Sequence, residues 1–253
     1  MTESPRAHRQ SAAPRLHVPL PLLPDGELEL PPGAARHAQV LRLQPGSALT
    51  LFNGAGGECR ATVIHMGRSS VRVRVGAHAA IEREATRHTH VLAGLMASER
   101  MDWLVEKATE LGAASIAPVL TQHCALRPGG PHAAKKHAHW QAVAVAACEQ
   151  SGRNRLPAVR PIRPLDEALA DDAAAANSAR LVLSLRPDAA PLRVICAELP
   201  AAQAVTLLSG PEGGLSAAEE AQALADGFAP VSLGPRVLRA ETAPLAALAL
   251  LLA

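Results

Sequence analysis

From residue 91 to the end, the sequence alternates between short apolar segments and helical segments, and this alternation restricts the fold more than any other feature. Strands that alternate with helices build a parallel sheet covered by helices, so we predict an α/β domain. Its strands are expected at residues 91–96, 115–120, near 159, 180–185, 204–208 and 228–233. Its helices are expected at residues 98–111, 133–150, from 165, near 192, 216–226 and 243–252.

Several of these helices carry recognisable end signals. Ser98 is expected to cap the first helix and Gly112 to end it. Ser216 and Glu219 have the spacing of a capping box, which predicts the start of another helix.

Residues 37–75 have a different pattern, with short runs at 40–43, 48–52, 59–64 and 70–75 separated by turn residues. In the last run Val alternates with Arg, so we expect one buried face and an outer face that displays Arg72 and Arg74. Short strands with such turns predict a small β-barrel. We divide the chain into a disordered tail at 1–14, the barrel at 15–80, a linker at 81–89 and the α/β domain at 90–253.

Composition excludes several classes of protein. No apolar stretch approaches the ~18 residues of a membrane span, so no membrane association is expected. The four cysteines lie far apart without a C-x-x-C spacing, which suits a reducing cytoplasm. A run of His and Lys at 132–139 has two interpretations, a metal site and a solvated helix face. Its spacing matches no known ligand set, so no metal is predicted.

Net positive charge is concentrated in the N-terminal third of the chain. Residues 1–80 hold nine Arg against five Asp and Glu, whereas the whole chain has a net charge of +2. Two interpretations stay open on charge alone. The segment has a surface that binds nucleic acid, or it has a solvated basic face without a partner.

Two loops near the C-terminus carry the strongest functional signal: LLSGPEGG at 207–214 and LGPRVLRAET at 233–242. Each follows an expected strand and leads into an expected helix, so we expect both to line one cavity. Neither matches G-x-G-x-x-G or a Walker loop, which argues against a phosphate cradle. Taken singly, the first loop favours a structural turn, whereas the charges from Arg236 to Glu241 fit a structural ion pair and a substrate-binding role equally.

Two further segments have both functional and structural interpretations. Residues 149–155, EQSGRNR, close the long helix, where the helix dipole favours a cation. The Arg-Asn-Arg cluster also suits a phosphate and a base edge. The last helix, 245–253, has no polar face. A helix that is apolar all round is buried, and a subunit interface would bury it, so we expect a homodimer.

Five segments, in this order along the chain, carry a resemblance to a known family: HAQVLRLQPGSALTLFNG (37–54), MDWLVEKATELGAASIAPV (101–119), AACEQSGRNRLP (146–157), LLSGPEGGLSAAE (207–219) and LGPRVLRAETA (233–243). They are similar to the ribosomal RNA small subunit methyltransferase E family of the SPOUT (α/β-knot) superfamily. The resemblance implies a PUA-like RNA-binding barrel, a SPOUT domain with a deep trefoil knot, and a homodimer. It also implies methylation of N3 of a uridine in 16S rRNA of the small ribosomal subunit, with S-adenosylmethionine as cofactor.

The resemblance also predicts which residues form the site. The cofactor is expected to contact Ser184, Leu185, Leu208, Ser209, Gly210, Pro211, Glu212, Gly213, Gly214, Leu233, Gly234, Arg236, Val237, Leu238 and Arg239. RNA contacts are expected from Arg15, Arg42, Arg72, Arg74, Arg153, Asn154 and Arg155. The catalytic set is Arg153 and Arg239 as electrostatic stabilisers, with proton removal left to Glu212 or to water.

Two departures from the family pattern are Glu106, where Gln is usual, and the Ser98-Glu99-Arg100 stretch, which is more acidic than usual. Neither is expected to touch the cofactor loops. The rival hypothesis is a non-catalytic RNA-binding or ribosome-assembly protein with a degenerate SPOUT domain. The intact pair of loops favours the enzyme.

Overall fold

The structure is a computed structural model, and it describes residues 13–173 and 178–252. The predicted tail falls almost entirely outside these residues. The chain divides into two compact units, with the boundary between Glu82 and Arg83. None of the helices in the described part combines the length and the apolar character that a membrane crossing requires.

The N-terminal unit is a five-stranded mixed sheet with one helix. Its elements are β1 (Arg15–His17), β2 (Glu27–Glu29), α1 (Pro32–Val40), β3 (Ala48–Phe52), β4 (Glu58–Met66) and β5 (Val71–Ala79). The strand order is β1-β3-β4-β5-β2, and only β1 and β3 run parallel. One face of this sheet and α1 enclose an apolar core, into which β5 directs its three valines. Arg72 and Arg74 face outward, as predicted.

The strand predicted at 40–43 is wrong, because these residues form the end of α1 and the turn after it. Pro32 occupies the first turn of α1. A backbone N–H at this position would have no acceptor within the helix, so the helix loses no hydrogen bond to proline. The Ala-rich residues that follow favour helix. A short apolar run does not by itself distinguish a strand from a buried helix segment.

The C-terminal unit is an eight-stranded parallel sheet flanked by helices. Its strands are β6 (Thr89–Gly94), β7 (Ser115–Leu120), β8 (Ala158–Val159), β9 (Arg163–Pro164), β10 (Ala179–Leu183), β11 (Ala190–Pro191), β12 (Val205–Ser209) and β13 (Ala229–Ser232). Its helices are α2 (Ser98–Leu111), α3 (Gly130–Ser151), α4 (Leu165–Ala173), α5 (Leu192–Glu198), α6 (Ala217–Ala225) and α7 (Thr242–Leu252). The strand order is β11-β13-β10-β12-β6-β7-β8, and β9 pairs with β7.

The predicted fold class is confirmed: α/β, with a parallel sheet covered by helices in the C-terminal unit and a small β domain before it in the chain. All six predicted helices of the C-terminal unit are present, and Gly112 ends α2 with a positive φ of 101°. The trefoil knot stays a prediction.

Helix α7 lies beside α2 and runs in the same direction. Glu241, just before α7, faces Arg100 in the first turn of α2, and Leu252 lies near Gly112 at the other end. Within a single chain α7 is not buried all round, because Leu250 is 47% exposed, so its expected burial in a subunit interface stays a prediction.

Candidate functional site

The carboxyl ends of β10, β12 and β13 surround one cavity of about 350 Å³, within the size range of small-molecule sites. The three strands are neighbours in the order β13-β10-β12, so the loops that follow them lie at the same edge of the sheet. The prediction that both loops line one cavity is confirmed. Its lining comprises residues 183–185, 209–215, Glu220, 231–234, 236–238, Ala240 and Ala243.

The lining contains every predicted cofactor-binding residue except Leu208 and Arg239. Leu208 is fully buried within β12, and Arg239 is an exposed residue of the second loop. The cofactor contacts of these residues stay a prediction.

The first loop rests on the end of β6, where Gly94 has no side chain to obstruct it. A Cβ atom on Gly94 would lie 2.4 Å from both the nitrogen and Cδ of Pro211. Gly210 is confined in the same way, since a Cβ there would lie 2.8 Å from the backbone nitrogen of Leu215. These two glycines therefore permit the close backbone packing that shapes the loop. Gly94 was not predicted, because its partner Pro211 is far away in sequence.

His123, from the loop after β7, supports the other end of the first loop. Its Nδ1 lies 3.0 Å from the carbonyl oxygen of Gly213 and 3.2 Å from that of Gly214. Nearby, the backbone N–H of Gln122 donates to Oε1 of Glu219, which also belongs to the predicted and observed capping box of α6. The sequence places no His in either loop, so only the tertiary structure identifies this contact.

Glu212 of the first loop is held by the start of α2. Its Oε1 accepts the backbone N–H of Ala97 at 3.0 Å and lies 3.1 Å from Nη1 of Arg100. The expectation that Ser98 caps α2 is wrong, because Ala97 is the N-cap residue and no side chain of the helix itself caps it. The expectation that the 98–100 stretch stays clear of the cofactor loops is wrong as well.

A second carboxylate, Glu220 in the first turn of α6, also lines the cavity and was not predicted. The hydroxyl of Ser184 donates to its Oε1 at 2.5 Å. Ser184 and Leu185 form the third wall of the cavity at the end of β10, as expected. Leu185 is 76% exposed, so it lies at the mouth of the cavity.

Arg153 lies at the amino ends of the parallel strands, whereas the cavity lies at their carboxyl ends. Its guanidinium donates to Glu84 at 2.5 and 3.1 Å and to the carbonyl oxygens of Thr109 and Ala113. Ala113 precedes β7, whose six residues span about 20 Å at ~3.3 Å each. Within one protomer, Arg153 is therefore not brought together with Glu212 and Arg239. Its neighbour Asn154 is fully buried.

The basic residues predicted to bind RNA in the N-terminal unit differ in their surroundings. Nη1 of Arg15 lies 2.7 Å from Oε2 of Glu58, and its guanidinium lies over the ring of Phe52 at 5.0 Å. Arg72 and Arg74 share Glu27 at 3.5 and 3.2 Å. These pairs compete with any phosphate for the same guanidinium groups.

Arg42 is exposed and follows the end of α1 with a positive φ of 55°, which is uncommon for a residue other than Gly. Arg155, beyond the end of α3, is also exposed. These two side chains are more accessible to RNA than Arg15 or Arg153.

The cavity suits a nucleoside cofactor that carries no phosphate. Leu185, Leu233 and Val237 offer apolar surface for a flat ring, and the glycine loops expose backbone donors and acceptors. The charged lining residues are Glu212, Glu220 and Arg236, and the lining contains no Lys. Two carboxylates fit a ligand rich in hydrogen-bond donors and do not fit a polyphosphate.

Two family models match the chain in the order of its two units. An RNA methyltransferase PUA domain matches residues 30–76, and an RNA methyltransferase domain matches residues 83–252. The fold and the site thus define an RNA methyltransferase with a PUA domain.

Individual relatives are similar over most of their length. The ribosomal RNA small subunit methyltransferase E of Mycobacterium bovis is 36% identical over 83% of this chain and 80% of its own. The enzyme of the same name from Neisseria gonorrhoeae, crystallised with S-adenosylmethionine, is 35% identical with a TM-score of 0.87 over 94% of this chain and 96% of its own. A putative methyltransferase from Legionella pneumophila, also solved with S-adenosylmethionine, is 36% identical with the same TM-score and coverage. The chain belongs to the ribosomal RNA small subunit methyltransferase E family.

Proposed function

We propose that this protein methylates N3 of a uridine in 16S rRNA, with S-adenosylmethionine as the methyl donor. The observation that carries the proposal is the single cavity formed by the two loops at the ends of β12 and β13. Relatives that match the chain over 94% of its length were solved with S-adenosylmethionine, which supports the choice of donor.

When bound, S-adenosylmethionine supplies a methyl group on a sulfonium, and its transfer requires neither a metal nor a Lys that binds phosphate. The task of the protein is to hold donor and acceptor at the distance and angle of reaction, which contributes up to ~7–11 kcal/mol. The backbone of residues 209–214 and 233–238 provides that scaffold. Its glycine positions leave no side chain between the loop and a ligand.

The acceptor nitrogen of uracil carries a proton that must leave before it becomes a nucleophile. Negative charge then spreads onto the uracil oxygens, and a nearby cation stabilises it. Arg236 lines the cavity, and Arg239 is exposed on the same loop. We assign this role to Arg239, with Arg236 beside it. Within one protomer Arg153 lies too far from the cavity to share it, so a catalytic role for Arg153 requires the partner subunit.

Two routes for the proton were expected, Glu212 and water. The structure commits Oε1 of Glu212 to the N–H of Ala97 and to Arg100. This arrangement favours water as the first acceptor of the proton, with Glu212 as a structural member of the loop.

RNA recognition is proposed for the N-terminal unit, and an exposed basic surface lies beyond α1. Gln39 connects Arg42 and Arg68. The backbone N–H of Arg42 donates to the carbonyl oxygen of Gln39, and the side-chain amide of Gln39 donates to the carbonyl oxygen of Arg68 at 3.2 Å. Arg42 and Arg68 are both exposed, so this turn presents two guanidinium groups to a phosphate backbone. Val40, 72% exposed, adds apolar surface beside them.

The functional form is proposed to be a cytoplasmic homodimer that acts on the small ribosomal subunit. Leu250 of α7 is 47% exposed in the single chain, and a partner subunit would cover it.

Nucleoside mass spectrometry of 16S rRNA from cells that lack the protein tests the proposal. We expect 3-methyluridine to be absent and to return with the wild-type gene. Calorimetric titration of the purified protein with S-adenosylmethionine separates this enzyme from a non-catalytic RNA-binding protein, which would show no binding. Persistence of 3-methyluridine in the deletion strain would refute the assignment of the substrate.

A further inference from the structure

Arg100, in the first turn of α2, lies between the two loops of the cavity. Its Nη1 lies 3.1 Å from Oε1 of Glu212 in the first loop. Its Nε lies 4.0 Å from Oε2 of Glu241, at the end of the second loop. One guanidinium therefore faces a carboxylate from each loop.

The sheet does not join these two loops directly. They follow β12 and β13, and β10 lies between those strands. Hydrogen bonds between the strands therefore do not fix the distance between the two loops. That distance depends on contacts beyond the strand ends. Arg100 provides such a contact from a third element of the fold.

The carboxylates depend on Arg100 to different degrees. Glu212 is also held by the N–H of Ala97 at 3.0 Å. Glu241 is only 9% exposed, and its Oε2 has no hydrogen-bond partner within the described chain. A buried carboxylate that loses its nearest positive charge is strongly destabilised, so the second loop should respond more than the first.

Helix α2, which carries Arg100, is packed firmly against the core. Met101 and Leu104 are fully buried in the core beneath it. A side chain on the first turn of a well-packed helix is held more accurately than one on a loop.

We propose that Arg100 is a positioning residue that fixes the two loops relative to one another and thereby shapes the cavity for its cofactor. The identity of that cofactor rests on the function proposed above. The contact between Arg100 and the two carboxylates does not.

The test compares Arg100→Gln and Arg100→Lys with the wild-type protein. Calorimetry measures the Kd for S-adenosylmethionine, and hydrogen exchange measures the protection of residues 209–214 and 233–241. For Arg100→Gln we expect Kd to rise about three- to tenfold, as a partly exposed ion pair with one buried partner allows. Exchange should rise in both loops. Arg100→Lys should restore only part of the affinity and of the loop protection. It keeps the positive charge, but a compact ammonium cannot face two carboxylates as a guanidinium does.

Arg163→Gln is the matched control, since Arg163 forms an ion pair with Asp171 in the same unit, away from the cavity lining. Glu241→Gln provides a second variant, expected to raise exchange in the second loop only. The proposal is overturned if Arg100→Gln leaves Kd and loop exchange unchanged, or if Arg163→Gln changes them equally. A wild-type protein that binds no S-adenosylmethionine would refute the proposed function, whereas the loop exchange would still decide the role of Arg100.

Discussion

The hydroxyl of Ser184 donates to Oε1 of Glu220 at 2.5 Å, and this bond joins the end of β10 to the first turn of α6 at the wall of the cavity. The same Ser184 oxygen accepts the backbone N–H of Arg186 at 3.1 Å, so its orientation is set from both sides. Glu220 forms no ion pair among the described residues, and the Arg186 guanidinium that acts on it electrostatically is itself paired with Asp188, in contrast to Glu212, which Arg100 neutralises. Glu220 therefore gives this wall a negative charge.

Replacing Glu220 with Gln should weaken the binding of S-adenosylmethionine more than that of S-adenosylhomocysteine. The first ligand carries a sulfonium charge that the second lacks, and a charge pair across several ångströms at the protein surface is worth ~1–2 kcal/mol. We expect the ratio of the two Kd values to change about five- to thirtyfold in calorimetric titrations. Glu198→Gln, on the exposed side of α5, is the control. Equal weakening of both ligands would show that Glu220 does not act through its charge.

Replacing Gly94 with Ala should deform the first loop. The added methyl would lie 2.4 Å from backbone and ring atoms of Pro211, which cannot turn away as a flexible side chain does. Overpacking of this kind costs ~1–3 kcal/mol, so we expect affinity for S-adenosylmethionine to fall about tenfold or more. Gly129→Ala is the control, because a Cβ there meets nothing within 4 Å. Unchanged affinity in a folded Gly94→Ala protein would contradict the described packing.

Replacing Arg239 with Ala should reduce turnover and leave cofactor affinity largely intact. The side chain is exposed beside the cavity and outside its lining, where an incoming uracil would meet it. Loss of one group that stabilises a developing oxyanion reduces kcat by about 10²–10³. The measurements are kcat on rRNA and calorimetric Kd, with Arg193→Ala on α5 as control. If Kd rises instead, Arg239 belongs to the cofactor site.

Replacing Arg153 with Met should destabilise the protein without a specific effect on chemistry. The side chain is only 5% exposed and holds Glu84 together with two carbonyl oxygens. Breaking a buried pair costs ~3 kcal/mol or more, and we expect Tm to fall by roughly 6–12 °C. A matching Glu84→Gln substitution in the same chain should add little further loss. Normal Tm together with abolished methylation would keep Arg153 in the catalytic set.

Replacing Leu250 with Arg should separate the proposed dimer. Leu250 is 47% exposed on a helix whose other positions are almost all apolar, and a charge there cannot be buried against a partner without cost. Light scattering is expected to give twice the 26.3 kDa chain mass for the wild type and one chain mass for the variant. Leu23→Arg, at a 70% exposed position of the N-terminal unit, should have no effect. A dimeric Leu250→Arg protein would place the interface elsewhere.

Local sequence signals predicted most of the C-terminal unit. Two examples are the capping box at Ser216 and Glu219 and the left-handed Gly112 at the end of α2. Both signals act within one helical turn, so they can be recognised in the sequence. The failure at residues 40–43 has the same origin, since four apolar and basic residues carry no period that distinguishes helix from strand.

The sequence alone determined the two glycine-containing loops and the alternation that brings their strands into one parallel sheet, because backbone conformation and hydrophobic period are local properties. Only the tertiary structure decided which side chains surround those loops. Glu212 and Ala97 are 115 residues apart, and His123 and Gly213 are 90 residues apart, so no local pattern relates them. The position of Arg153 away from the cavity within one protomer could not be predicted for the same reason. A cluster of charges in the sequence does not show at which end of the strands it will lie.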